Sequence, residues 1–286
     1  METLYKLSGA GNDFIVLDGR SGGVDEYRKE GIIRTLCDRN TGFKAADGRI
    51  GADGVMILSS SDDGAWDFVM EYFNSDGSSG MMCGNGGRCI VAFADFMGIV
   101  PANGKFYEFL AADGPHTGEI LGRDGHSCTV KLKMKDVSEY RRCTDGWFLD
   151  TGTRHFVKFV DDVEAVDIAT EGPRYRWSEE FAPIGANVNF VQVLPDGSLK
   201  VRTFEKGVED ETLACGTGIT ASALAAQLEA WHKDAGTDTP ASSGTTSKSI
   251  HTAVHARIDE LAVDFTPSGS IFTDVFLTGP AALISD

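Results

Sequence analysis

Two segments of this chain set a cysteine directly before a glycine-opened run of small residues: Met82-Cys83-Gly84-Asn85-Gly86 and Ala214-Cys215-Gly216-Thr217-Gly218. Both read Cys-Gly-x-Gly. A thiol at the mouth of a helix meets backbone amides that have no partner inside the helix, together with the positive end of the helix dipole. Such sites lower a thiol pKa from roughly 8.5 to between about 3.5 and 7.5. Glycines, lacking Cβ, leave the same amides open to an anion such as a carboxylate or phosphate. Each segment therefore offers a candidate thiolate beside a candidate anion site.

The flanking sequence supplies the elements that would hold these thiols. Strand-like runs precede them, Phe68 to Asn74 in one case and Leu199 to Glu205 in the other. Small-residue helix patterns come after them, Ile90 to Phe96 and Thr220 to Ala226. Two further matches occur in the same order and at nearly constant spacing: Gly11 to Asp18 with Gly152 to Phe159, and Gly51 to Leu58 with Gly185 to Gln192. A glycine turn opening into β-branched residues is a common strand signal. Three matches in one order point to duplication, with equivalent cysteines facing one cleft.

The remaining segments read as scaffold. Glu26 to Leu36 predicts a surface helix despite Gly31, Ser127 to Met134 a half-exposed strand, and Asp234 to Ser249 a loop rich in Gly, Ser, Thr and Asp. Ile271 to Pro280 returns to strand character. The expected division is an N-terminal half over 1–120, closed by a C-terminal strand at 275–286, and a C-terminal half over 121–274.

Lys and Arg number 26 against 43 Asp and Glu, a net charge of -17 that disfavours nucleic acid as a partner. The N-terminus lacks the order of a signal peptide and no apolar run approaches the roughly 20 residues of a membrane span, so a cytoplasmic protein is expected. Six cysteines form no C-x-x-C pair, and six histidines show no ligand spacing against them. Reduced thiols are expected, and no zinc or other metal. Cys37, Cys89, Cys128 and Cys143 read as packing residues.

Five motifs in order carry a resemblance: Gly-Ala-Gly-Asn-Asp-Phe at 9–14, Gly-Ala-Asp-Gly at 51–54, Phe-Asn-Ser-Asp-Gly-Ser at 73–78, Met-Cys-Gly-Asn-Gly at 82–86 and Glu-Thr-Leu-Ala-Cys-Gly-Thr-Gly at 211–218. Together they resemble the diaminopimelate epimerases. The resemblance implies an α/β (α+β) fold of two similar halves, each a strand-rich sheet or barrel around a central helix, facing a shared cleft. It also implies a cofactor-free isomerase that interconverts L,L- and meso-diaminopimelate in lysine and peptidoglycan precursor synthesis. Inverting a carbon needs a base on one face and an acid on the other, which a thiolate and a thiol supply.

By this resemblance Cys83 and Cys215 are catalytic. Asn12, Asn74, Gly84, Asn85, Asn187, Glu205, Lys206, Gly216 and Thr217 bind substrate, and His155 and Glu205 tune the thiols. The partner is a small amino acid, and a homodimer is the candidate assembly. The chain departs from the family where Lys206 replaces arginine, Thr153-Arg154 replaces asparagine or serine followed by proline, and Gly54 replaces glutamine. Residues 43–50 read as an insertion. A proline or hydroxyproline racemase and a non-catalytic amino-acid binder are the rival readings; retention of both cysteines separates an enzyme from a binder.

Overall fold

The structure is a computed structural model that describes residues 2–235 and 248–285. The chain divides into two compact units, one running to Leu132 and resuming at Gly279, the other spanning Lys133–Thr278.

The first unit contains β1 (Tyr5–Gly9), β2 (Asn12–Asp18), α1 (Glu30–Cys37), β3 (Gly54–Ser59), β4 (Phe68–Asn74), α2 (Gly84–Phe96), β5 (Tyr107–Ala111), β6 (Gly114–Asp124) and β7 (Ser127–Lys133). The second contains β8 (Tyr140–Cys143), β9 (Gly146–Asp150), β10 (Arg154–Phe159), α3 (Ile168–Arg176), β11 (Asn187–Val193), β12 (Leu199–Glu205), β13 (Asp210–Thr212), α4 (Gly216–Ala235), β14 (Ile250–His255) and β15 (Glu260–Ser268). The last strand, β16 (Ile271–Ser285), contributes to both.

In the first unit β2 runs parallel to β3, with Phe14 opposite Gly54, and β4 runs parallel to β5. The other neighbours in the order β1 to β7 are antiparallel. Residues 279–282 of β16 pair with β7, and its last residues pair with β1, so the sheet closes on itself. Helix α2 packs against β1, β2, β3 and β6, and every residue from Gly84 to Ala94 is buried. A helix wrapped by strands must be apolar or small on all sides, which explains the run Cys89 to Ala94. The uninterrupted apolar stretch Phe14-Ile15-Val16-Leu17 in β2 is buried on both faces for the same reason.

The second unit repeats this order. β9 and β10 are antiparallel, β10 and β11 parallel, β11 and β12 antiparallel, and β12 and β14 parallel. β14, β15 and β16 continue antiparallel. Helix α4 packs against β9, β10, β11, β12, β14 and β15. Its inward Ala221, Leu224, Ala225 and Leu228 are fully buried, so the short side chains let strands approach closely. The segment before β8 reaches β16 through Met134 N–H donating to Val275 O at 2.8 Å and a Val137–Phe272 bridge. The α/β architecture of two similar halves, each built around a central helix, is the one expected.

A boundary at 120–121 would cut β6 in mid-strand, and the division lies instead between Leu132 and Lys133. The expected helix over Glu26 to Leu36 is two pieces, a 3-10 turn at Asp25–Arg28 and α1, because Lys29 adopts an extended backbone (ψ 128°) and caps α1. Residues 43–50 form a compact turn, with Ala45 N–H donating to Arg49 O at 2.9 Å and Gly48 at φ 92°. Of the expected loop at Asp234 to Ser249, Asp234 and Ala235 belong to α4, while residues 236–247 lie outside the described residues.

Candidate active site

In the first unit Cys83 is the N-cap of α2, with φ −110° and ψ 156°, and is half-buried. Its sulfur accepts the Gly86 N–H at 3.2 Å, and its carbonyl accepts the Gly87 N–H at 2.7 Å. A Cβ at Gly86 would stand 3.2 Å from that sulfur. The second glycine of the motif therefore keeps the amide accessible to the thiol. No acidic residue occupies the first turn, so no side chain there offsets the positive end of the helix dipole.

Beside Cys83 a chain of polar side chains crosses the unit. Arg88, fully buried, donates to Asn85 Oδ1 at 2.8 Å and to Gly84 O at 3.2 Å. Asn85 donates to Asn12 Oδ1 at 2.6 Å, and Asn12 donates to Asp53 Oδ2 at 2.8 Å. Asp53 also binds Arg39 at 2.5 Å; Arg39 reaches Asp13 at 2.7 Å, and Asp13 meets buried Lys6 at 2.7 Å. A buried charge is tolerated only when paired and hydrogen-bonded. Alternation of cations and anions along this chain supplies the pairing, and the bonds from Arg88 and to Asp53 fix the orientation of both asparagine amides.

In the second unit Cys215 precedes the first residue of α4 and is 8% exposed. Its sulfur lies 3.5 Å from Thr217 Oγ1. Thr217 Oγ1 is 2.9 Å from His155 Nε2, which is also 2.9 Å from Thr153 Oγ1. Behind the ring, Asn189 Nδ2 sits 3.1 Å from His155 Nδ1 and donates to Phe156 O at 3.1 Å, while Asn189 Oδ1 accepts from Thr203 at 2.9 Å. Burial pushes the His155 pKa down to about 3 against a smaller opposing pull from Asp150, so the imidazole is neutral near pH 7. A Cβ at Gly218 would lie 2.3 Å from Asn189 Oδ1, so the last glycine of Cys-Gly-Thr-Gly is needed for α4 to meet β11.

The other expected residues fall at strand ends. Asn187, at the start of β11, accepts the Lys206 N–H at 2.8 Å and donates to Arg154 O at 3.1 Å, tying three strands together. Glu205 ends β12 half-buried, and the Lys206 side chain is exposed. Asn74 ends β4 and donates to Ser78 Oγ at 3.0 Å within its own turn. At Gly54 a Cβ would lie 2.5 Å from the Tyr72 ring, so that ring takes the space a longer side chain would need. Burial lifts the Cys37, Cys89 and Cys143 thiols to about 12 and also raises Cys128, leaving all four protonated at neutral pH.

Sequence reasoning missed Asn189, Thr203, Arg88 and Arg39, and Asp53 stood out there only as a member of its motif. The signal at Asn189 and Thr203 is a polar residue on an inward position of a buried strand. At Arg88 it is a charge inside an otherwise apolar helix.

A family model described as diaminopimelate epimerase matches residues 4–131 and 147–263. The chain is 39% identical over 281 residues to the diaminopimelate epimerase of Flavobacterium psychrophilum, covering 98% of this chain and 97% of that one. It is 44% identical over 226 residues to the enzyme of that name from Chlorobaculum tepidum, covering 76% and 80%. Among solved structures, a Bacillus anthracis phenazine biosynthesis protein of the PhzF family superposes with a TM-score of 0.66 at 10% identity, over 99% of this chain and 96% of that one. A hydroxyproline epimerase from Agrobacterium vitis gives 0.59 at 16% identity, over 99% and 92%. These two likenesses concern the fold. The matched family model and the full-length relatives place the chain in the diaminopimelate epimerase family.

Proposed function

We propose that the protein interconverts L,L- and meso-diaminopimelate by proton transfer between Cys83, Cys215 and one substrate carbon. The observation that carries this reading is the repetition itself: in each unit a cysteine stands at the opening of a buried, glycine-started central helix with no acid in its first turn. As a thiolate, one cysteine removes the α-proton; as a thiol, the other returns a proton to the opposite face, which inverts the centre. The amides of Gly84, Asn85, Gly216 and Thr217 hold the α-carboxylate and stabilise the charge that develops beside it. Asn12, Asn74, Asn187, Glu205 and Lys206 hold the rest of the substrate, and Glu205 and His155 set the protonation of the thiols.

No helix among the described residues is long and apolar enough to cross a membrane. We place the enzyme in the cytoplasm, acting on its small-molecule substrate in lysine and peptidoglycan precursor synthesis, with a homodimer as the candidate assembly. Cys83→Ala and Cys215→Ala test the reading. Each is expected to abolish epimerisation with the fold intact, while Cys89→Ala stays active. Near-normal turnover in either of the first two would refute it.

A further inference from the structure

The His155 imidazole is buried and has polar neighbours on both ring nitrogens. Held neutral by burial, it carries one proton, and the neighbours decide on which nitrogen. On the Nδ1 side the neighbour is the Asn189 amide. Its orientation is set by its other contacts: Phe156 O can only accept, so the group 3.1 Å from it is the NH2, and the Thr203 hydroxyl donates to the opposite oxygen at 2.9 Å. The same NH2 faces His155 Nδ1 at 3.1 Å, so Nδ1 must be the accepting nitrogen. The ring proton then lies on Nε2.

On the Nε2 side are two hydroxyls, Thr217 and Thr153, each at 2.9 Å and 3.2 Å apart. A protonated Nε2 cannot accept from either. The Thr217 hydroxyl, taking the ring N–H, has its own proton left for Thr153 Oγ1 or the Cys215 sulfur at 3.5 Å. With the opposite tautomer it would turn back to the ring. We propose that Asn189 is a positioning residue that holds His155 as the Nε2–H tautomer and so directs the Thr217 hydroxyl onto Cys215 as a hydrogen-bond donor to its thiolate. The functional weight of this relay rests on Cys215 acting as the base in the reaction proposed above. Gly218 belongs to the same device, since any side chain there would displace Asn189 from its seat.

Two measurements on the full chain test the relay without using substrate turnover, so their outcome is separate from that of the epimerase assay. In protein labelled with 15N-histidine, His155 should show the Nε2-protonated tautomer, unchanged between pH 5 and pH 8; an Nδ1-protonated ring overturns the proposal. In a Cys83→Ser background, the rate of Cys215 alkylation by iodoacetamide, read by peptide mass mapping at neutral pH, reports its thiolate fraction. Thr217→Val should lower that rate about tenfold, the scale of one hydrogen bond to a charged group, and Thr217→Ser should restore it. Asn189→Asp, whose carboxylate can only accept and so draws the ring proton to Nδ1, should lower it likewise. An unchanged rate in Thr217→Val overturns the relay, even if Asn189→Asp fails to fold.

Discussion

The Asn85 side chain donates to the Asn12 side-chain oxygen at 2.6 Å, across 73 positions of sequence. Each asparagine is also held from behind, Asn12 by Asp53 and Asn85 by Arg88. Each asparagine thereby accepts through its side-chain oxygen and donates one N–H, which fixes which end of each amide points where.

Asp53→Ala releases the Asn12 amide and unpairs Arg39. In the proposed reaction it is expected to raise KM about tenfold, roughly one charge-assisted hydrogen bond, with a smaller fall in kcat. Asp53→Asn keeps an acceptor for Asn12 and should lie between it and the wild type. Steady-state kinetics decide; an unaltered KM in a folded Asp53→Ala enzyme would separate this network from binding.

The motif glycines are expected to behave differently. Gly218→Ala places a Cβ 2.3 Å from Asn189 Oδ1 in the core, and overpacking there should cost about 1–3 kcal/mol of stability along with activity. At Gly86 the nearest contact is the Cys83 sulfur at 3.2 Å, and alanine gains about 1 kcal/mol over glycine in a helix. Gly86→Ala should keep its stability and lose turnover. Urea denaturation paired with activity assays checks both, and the reverse pattern would contradict the assignment.

The thiol motifs, the paired strands and the repeat were legible because each has a local signature: a glycine-opened helix, a run of β-branched residues, a constant order. Polar support was not. Asn189 and His155 are 34 positions apart and Arg88 and Pro280 are 192 apart, so these contacts exist only once the sheets have closed. Alternation in β11 sets Asn189 on the face opposite Val188 and Phe190, and nothing in the sequence shows that this face is also buried or that its partner is an imidazole. The break at Lys29 was equally hidden, because lysine is a good helix former and only the packing of α1 against β3 sets where the helix starts.

Burial of neutral His155 makes the fold sensitive to acid. The folded pKa of about 3 lies below the ordinary histidine value of 6.5, so between these limits the unfolded chain binds a proton that the folded chain refuses. The resulting stability is fully present above pH 6.5 and is lost as pH falls toward 3, with a slope of up to about 1.4 kcal/mol per pH unit. His155→Gln should flatten this slope in urea titrations run between pH 4 and pH 7. Equal slopes in the two proteins would show that the ring is not held neutral.

Lys206 carries an exposed side chain on a backbone fixed by Asn187. If, in the proposed reaction, it faces the distal carboxylate of diaminopimelate as a point charge, it should be improved or matched by Lys206→Arg, whose fork can bind that group through two bonds. Lys206→Ala should raise KM severalfold. An unchanged KM in the alanine variant would remove Lys206 from the site.

The most direct measurement is incubation of the wild-type enzyme with L,L-diaminopimelate in heavy water, following the meso product and its α-deuterium together. Proton return by a thiol equilibrated with solvent predicts that each newly formed meso molecule carries one deuterium at the inverted carbon, and that neither Cys83→Ala nor Cys215→Ala forms that product. Formation of meso product that retains its original α-hydrogen, or of labelled product by either variant, would contradict two-thiol proton transfer.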